Sequence, residues 1–113
     1  MKTSGQFGIV LVTCATPAEG RKIARELVSN RLAACVSIAL NPVESFYTWE
    51  GKVEKTREYL LVIKTTKKRL ADLEKQVKRM HSYEVPEFIV LPITAGSNDY
   101  LSWLNKSVMH SRK

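Results

Sequence analysis

Cysteine, glycine, proline and long apolar runs are all scarce in this chain, and each scarcity closes off a class of protein. Two cysteines occur in 113 residues. Cys14 and Cys35 sit inside strand-like apolar stretches with no CxxC spacing, so they read as free buried thiols in a reducing compartment rather than a disulfide or redox pair. Few glycines and prolines leave no flexible linker, repeat or low-complexity segment. No run reaches the ~20 apolar residues of a membrane-crossing helix, so no membrane partner is expected. One lysine precedes the short β-branched run of MKTSGQFGIVLVTC. This start reads as a first strand rather than a signal peptide, which gives a cytoplasmic assignment. No glycine-rich phosphate loop is present either.

What is there is an ordinary globular composition, 44% hydrophobic and 26% charged, enough for one domain over 1–113 that folds without staples. Residues 1–6 and 110–113 are expected to be flexible ends. Net charge is +7, and Lys64, Lys67, Lys68, Arg69, Lys75, Lys78 and Arg79 gather in one segment against Asp72 and Glu74. That cluster is either the solvated face of a helix or a surface for an anionic partner. The aromatic signature of RNA-recognition domains is absent from Phe7–Thr13 and from Tyr59–Thr65, so no nucleic-acid partner is expected.

The pattern predicts a first strand at Phe7–Thr13, apolar on both faces. Thr16, Pro17 and Glu19 form a capping box that starts a helix with Ile23 and Leu27 on its apolar stripe and a stop at Asn30. A second strand spans Leu32–Leu40, and Val43–Trp49 reads as its bent extension. Glu50-Gly51 makes a tight turn into a long third strand, Val53–Thr65. A second helix from about Thr66 carries Leu70, Leu73, Val77 and Met80. Phe88–Ile93 is a fourth strand that Pro92 places near an edge. Ser97 caps a last helix with Leu101, Leu104 and Val108 on one face. The order β-α-β-β-α-β plus a terminal helix is the ferredoxin-like split βαβ arrangement, an α+β fold.

A hairpin over residues 43–62 is longer than a small sheet can pair, so it is expected to protrude. Tyr47 and Trp49 point to one side of it. On the last helix, Tyr100 and Trp103 lie beside the apolar stripe. These aromatics either enlarge one core or form an oligomer interface.

The motifs Cys14-Ala-Thr-Pro17, Arg31-Leu-Ala-Ala-Cys35-Val, Tyr47-Thr-Trp-Glu-Gly-Lys52, Ile63-Lys-Thr65, His81-Ser-Tyr-Glu-Val-Pro-Glu87 and Asp99-Tyr-Leu-Ser-Trp103 occur in that order. Together they resemble the CutA family of divalent-cation tolerance proteins over nearly the whole chain. The resemblance implies a ferredoxin-like fold, a homotrimer like the PII signalling proteins and copper binding, with no established catalytic activity. The chain departs from the family pattern twice: Ser82 stands where a proline is usual, and Met80 where some members carry a second histidine.

The split βαβ layout brings the end of the first strand, with Cys14, to the residue after the second helix, His81. The first helix's N-terminus at the same edge favours Cys14 as thiolate. A thiolate and an imidazole make a soft pair suited to copper before zinc, with Met80 or Glu84 as a third contact. As a nucleophilic pair they lack an orienting third residue and an oxyanion hole, so no enzyme activity is expected. Glu84 and Glu87 read as turn residues. The expected function is that of a trimeric copper- or divalent-metal-binding protein that responds to metal ions, with Tyr47, Trp49 and Trp103 at the trimer interface. The alternative is a PII-like signalling or scaffold trimer that binds a small anionic ligand or a protein partner.

Overall fold

The computed structural model describes residues 1–109. Five strands and three helices appear in the order β1 (Lys2–Cys14), α1 (Pro17–Ser29), β2 (Cys35–Ile38), β3 (Val43–Trp49), β4 (Lys52–Thr66), α2 (Leu70–Met80), β5 (Ile89–Gly96) and α3 (Asn98–Ser107), with one 3₁₀ turn at Lys67–Arg69 before α2. All ladders are antiparallel, in the order β2-β4-β1-β5. With β2 and β3 counted as one broken strand, this is the ferredoxin-like arrangement.

The break has a simple origin. β2 pairs with Leu61–Lys64 of β4, and β3 pairs with Lys52–Glu58 of the same strand. Asn41-Pro42 interrupts the ladder between them, since proline has no N–H to donate. Val43–Trp49 therefore continues along β4 in the same direction, as a bent extension must. Trp49 faces Lys52 across a two-residue loop whose residues both have positive φ, Glu50 at 51° and Gly51 at 82°. That is the geometry of a type I′ hairpin, whose twist matches its strands. The hairpin extends beyond β1, because β1 pairs with β4 only from Tyr59 onward.

One correction falls at the start of the chain. The segment expected to be a flexible start is strand: Lys2 and Thr3 pair with Gly96 and Ala95, past a register shift before Phe7. The other expected flexible end, 110–113, lies outside the described residues.

The two sheet faces differ. On one, Val10, Val12, Cys14, Leu61 and Ile63 pack under Ile23 and Leu27 of α1 and Leu73 and Val77 of α2, all fully buried. On the other, α3 covers only the end formed by Phe7 and Ile93, through Leu101, Leu104 and Val108. Ile9, Leu11, Leu60 and Val62 on that face are only half-buried. Leu91 and Ile89, their partners across the β1–β5 ladder, stay 45% and 48% exposed. Phe7–Thr13 is thus closed on one face and open on the other within a single chain.

The basic segment divides as well. Lys67, Lys68, Lys75, Lys78 and Arg79 are on the solvent side. Arg69 is buried and donates to the Val108 carbonyl at 2.7 Å, tying α3 to the 3₁₀ turn. Lys64 lies on the open sheet face and donates to Ser37 at 2.9 Å.

Candidate functional site

The end of β1, the start of α1 and the loop after α2 meet at one edge, and His81 is the side chain that joins them. Its backbone ends α2, where the His81 N–H caps the Val77 carbonyl at 2.9 Å. Its ring turns inward, and the side chain has no exposed surface. Nε2 lies 2.7 Å from the Thr13 carbonyl, and Nδ1 accepts the Tyr83 backbone N–H at 3.0 Å. A carbonyl cannot donate and a backbone N–H cannot accept, so the ring is neutral and carries its proton on Nε2. The Tyr83 ring lies beside it, tilted by 49° with the ring centroids 4.8 Å apart.

Glu19 closes the arrangement, and sequence reasoning assigned it only a cap. Thr16 does cap α1, accepting the Glu19 N–H at 3.1 Å. The carboxylate, however, accepts the Ala15 N–H at 3.3 Å and reaches across to the Ser82 N–H at 2.7 Å. Its Oε2 is 3.8 Å from His81 Nδ1. Burial pushes this carboxyl up, yet the hydrogen bonds it accepts from Ser82, then from the Ala15 N–H, outweigh it and hold the pKa below the ordinary range. With Ser82 at this position, its backbone N–H is free to bond Glu19; a proline here has no such donor.

Cys14 is in the core with no exposed surface. The expected thiolate is corrected: burial, then the charges of Glu19 and Glu58, push its pKa up to about 12. Desolvation outweighs the helix terminus here. Met80 is half-buried against the same core, and Glu84 is exposed in the following loop. Cys35, expected to be buried, is only half-buried, with the Lys64 ammonium 3.7 Å from its sulfur. Among the described residues no three His, Cys, Asp or Glu side chains come together as a metal-ligand group. Both nitrogens of His81 are engaged, and the thiol is protonated and closed over. These residues do not fit a resident metal centre within one chain.

Beside this edge lies a cleft of about 670 Å³ between the β3–β4 hairpin and loop 83–87. Its walls include Phe46, Tyr47, Trp49 and Tyr83, with Glu58 and Glu87 among the polar residues. Glu58 is 7% exposed and accepts a hydrogen bond from Thr13 Oγ1 at 3.3 Å. Burial, then the Glu58 charge, raises the Glu87 carboxyl; burial, then its hydrogen bond to Glu58 and the charge of that carboxylate, raise the Tyr83 phenol. Sequence reasoning passed over Glu58. The one available signal was a carboxylate on the same face of a strand as the apolar Leu60 and Val62.

The fold and this edge define a small ferredoxin-like α+β protein with a protruding hairpin. The family model described as CutA1 divalent ion tolerance protein matches residues 8–107, and the chain belongs to that family. The divalent-cation tolerance protein CutA of Thermus thermophilus is 42% identical over 88% of this chain and 95% of its own length. The chloroplastic protein CutA of Arabidopsis thaliana is 48% identical over 88% of this chain. The chain spans 54% of that plant relative and 58% of a rice one. Among solved structures, CutA1 from Oryza sativa superposes with a TM-score of 0.90 at 43% identity, covering 97% of this chain and all of that one. The Thermus thermophilus protein gives 0.88 at 41% identity, covering 91% of this chain and 99% of its own.

The family is named for tolerance of divalent cations. No helix among the described residues is long and apolar enough to cross a membrane.

Proposed function

We propose that this divalent-cation tolerance protein acts as a cytoplasmic, non-enzymatic homotrimer whose contact with metal, copper before zinc, is weak and reversible. The open sheet face carries the proposal. Ile9, Leu11, Leu60, Val62, Ile89 and Leu91 make an apolar surface opposite α1 and α2. At about 25 cal/mol per Å², water contact over such a face costs several kcal/mol that a second and third copy recover. The hairpin, with Phe46 65%, Tyr47 44% and Trp49 42% exposed, reaches beyond its own sheet toward a neighbour. The rings of Trp103 and Tyr100 meet in a tilted pair, centroids 5.4 Å apart, on the surface of α3 and extend the apolar area.

The absence of turnover rests on the state of Cys14 and His81. A nucleophilic pair needs a thiolate or an available base, and here the thiol holds its proton while both ring nitrogens are occupied. The same closure limits metal affinity. Copper meets Cys14 and His81 only after the ring gives up a hydrogen bond worth about 1 kcal/mol and the thiol loses its proton.

Leu91→Arg tests the assembly. In a lone chain this half-exposed position tolerates arginine at little cost. In a trimer closed over the open face it buries a charge, so sedimentation velocity should show a smaller species with far-UV circular dichroism unchanged. A variant that sediments like wild type overturns the proposal.

A further inference from the structure

The basic segment left two readings open, a solvated helix face or a surface for an anionic partner, and the helix layer separates them. α1 and α2 lie side by side on the sheet face opposite the open one. They run in opposite directions, because β1 and β4 before them do. The start of α1 therefore meets the end of α2, where Ser82 donates to Glu19 at 2.7 Å. The outward side of this layer carries Arg21, Lys22 and Arg25 from α1, with Lys67, Lys68 and Lys75 from α2 and the turn before it, all exposed. None of them makes an ion pair among the described residues. The carboxylates of the two helices are engaged elsewhere: Glu19 with Ser82, Glu26 with Asn30 and Glu74 with Lys78, which leaves Asp72. Lys67 and Lys68 also stand at the start of α2, the helix end whose dipole disfavours cations. Like charges gathered without counter-charges repel one another, and a bound anion relieves this.

We propose that the outer face of α1 and α2 docks a flexible acidic polypeptide segment, a run rich in Asp and Glu. What the face lacks selects this partner. Neither helix contains an aromatic residue, and Val28 is the one large apolar side chain exposed on them. Single-stranded nucleic acid is held by stacking on rings as well as by charge. A bilayer is held by apolar insertion as well as by charge. This face offers charge alone. Glu26 and Asp72 interrupt it, so a flat anionic surface meets them together with the cations, whereas a flexible chain passes between them. Carboxylates along such a chain take paired hydrogen bonds from arginine and point contacts from lysine. The face lies opposite the surface assigned to the trimer, so it stays open whether or not the chain assembles.

Fluorescence anisotropy of labelled poly-L-glutamate, titrated with the full chain at low ionic strength, tests this. Lys22→Glu with Lys75→Glu reverses two charges on the face. Lys2→Glu with Lys106→Glu changes the net charge equally elsewhere, and all four positions are exposed. The face variant should weaken binding roughly tenfold and the control variant roughly twofold at most. Lys22→Gln with Lys75→Gln, which only removes the charges, should weaken binding too, with circular dichroism and sedimentation as in wild type. The proposal is overturned if wild type does not bind poly-L-glutamate, or if the face and control variants lose affinity equally. Tighter binding of labelled oligothymidylate or of phosphatidylserine vesicles than of poly-L-glutamate overturns it as well.

Discussion

Removing the Glu19 carboxylate should loosen the whole edge at which Cys14 and His81 meet. Glu19→Gln retains the volume and one carbonyl oxygen but loses the charge. The principal loss is the bond from the Ser82 N–H at 2.7 Å, a charge-assisted bond worth about 1.5–3 kcal/mol, of which a neutral amide oxygen returns about 1. The bond from Ala15 at 3.3 Å is longer and adds about 0.5 kcal/mol. The net cost at pH 7 is therefore about 1–2 kcal/mol. For a domain of this size that lowers Tm by roughly 5–10 °C at fixed protein concentration.

The pH dependence carries the sharper test. The Glu19 pKa is depressed in the folded chain, so its stabilisation is present above the unfolded value of about 4.3 and is lost as pH falls through the folded value. Wild type and Glu19→Gln should differ most near neutrality and converge as pH falls through the depressed folded value. Differential scanning calorimetry from pH 7 to 3 reads this directly. Two melting curves that stay parallel to pH 3 would refute the role given to this carboxylate.

Other outcomes follow from the same geometry. At pH 8 iodoacetamide should modify Cys35 and spare Cys14, whose thiol is buried and pushed up to about 12; equal labelling in the folded protein would contradict the closed core. Trp49→Ala should raise the concentration at which the assembly dissociates, since removing a large aromatic from a closed interface costs roughly 3–5 kcal/mol; light scattering that shows no change would remove Trp49 from the interface. In competition titrations of reduced protein with Cu(I), Cys14→Ser and His81→Ala should each bind more weakly than wild type. Equal affinities would put the copper contact elsewhere in the chain.

Much of the fold was legible because local signals agreed with one another. Thr16-Pro17 and Ser97 mark helix starts, Glu50-Gly51 marks a hairpin, and Pro92 falls on the edge strand β5. The early start of β1 at Lys2 was not legible, since KTSGQ carries no apolar alternation and is held by pairing with Gly96 and Ala95. The site was legible in position but not in state. Strand and helix direction bring His81 to the end of β1, yet whether Cys14 is thiol or thiolate depends on burial against a helix terminus, and magnitude decides that only in three dimensions. The cross-chain bond from Ser82 to Glu19 spans 63 residues, and the capping pattern around Glu19 already had a local explanation. Glu58 and Glu87 come together only because the hairpin and loop 83–87 face each other, which no spacing within either segment reveals.

In the proposed assembly the open sheet face and the hairpin bind copies of the same chain into a trimer. Native mass spectrometry of the purified protein at micromolar concentration, with and without added copper and zinc, tests it most directly. A trimer held by this face gives a single species of three chains whose mass, apart from weakly held metal, is the same in all samples. A stable monomer, or a trimer that forms only when metal is added, would contradict it.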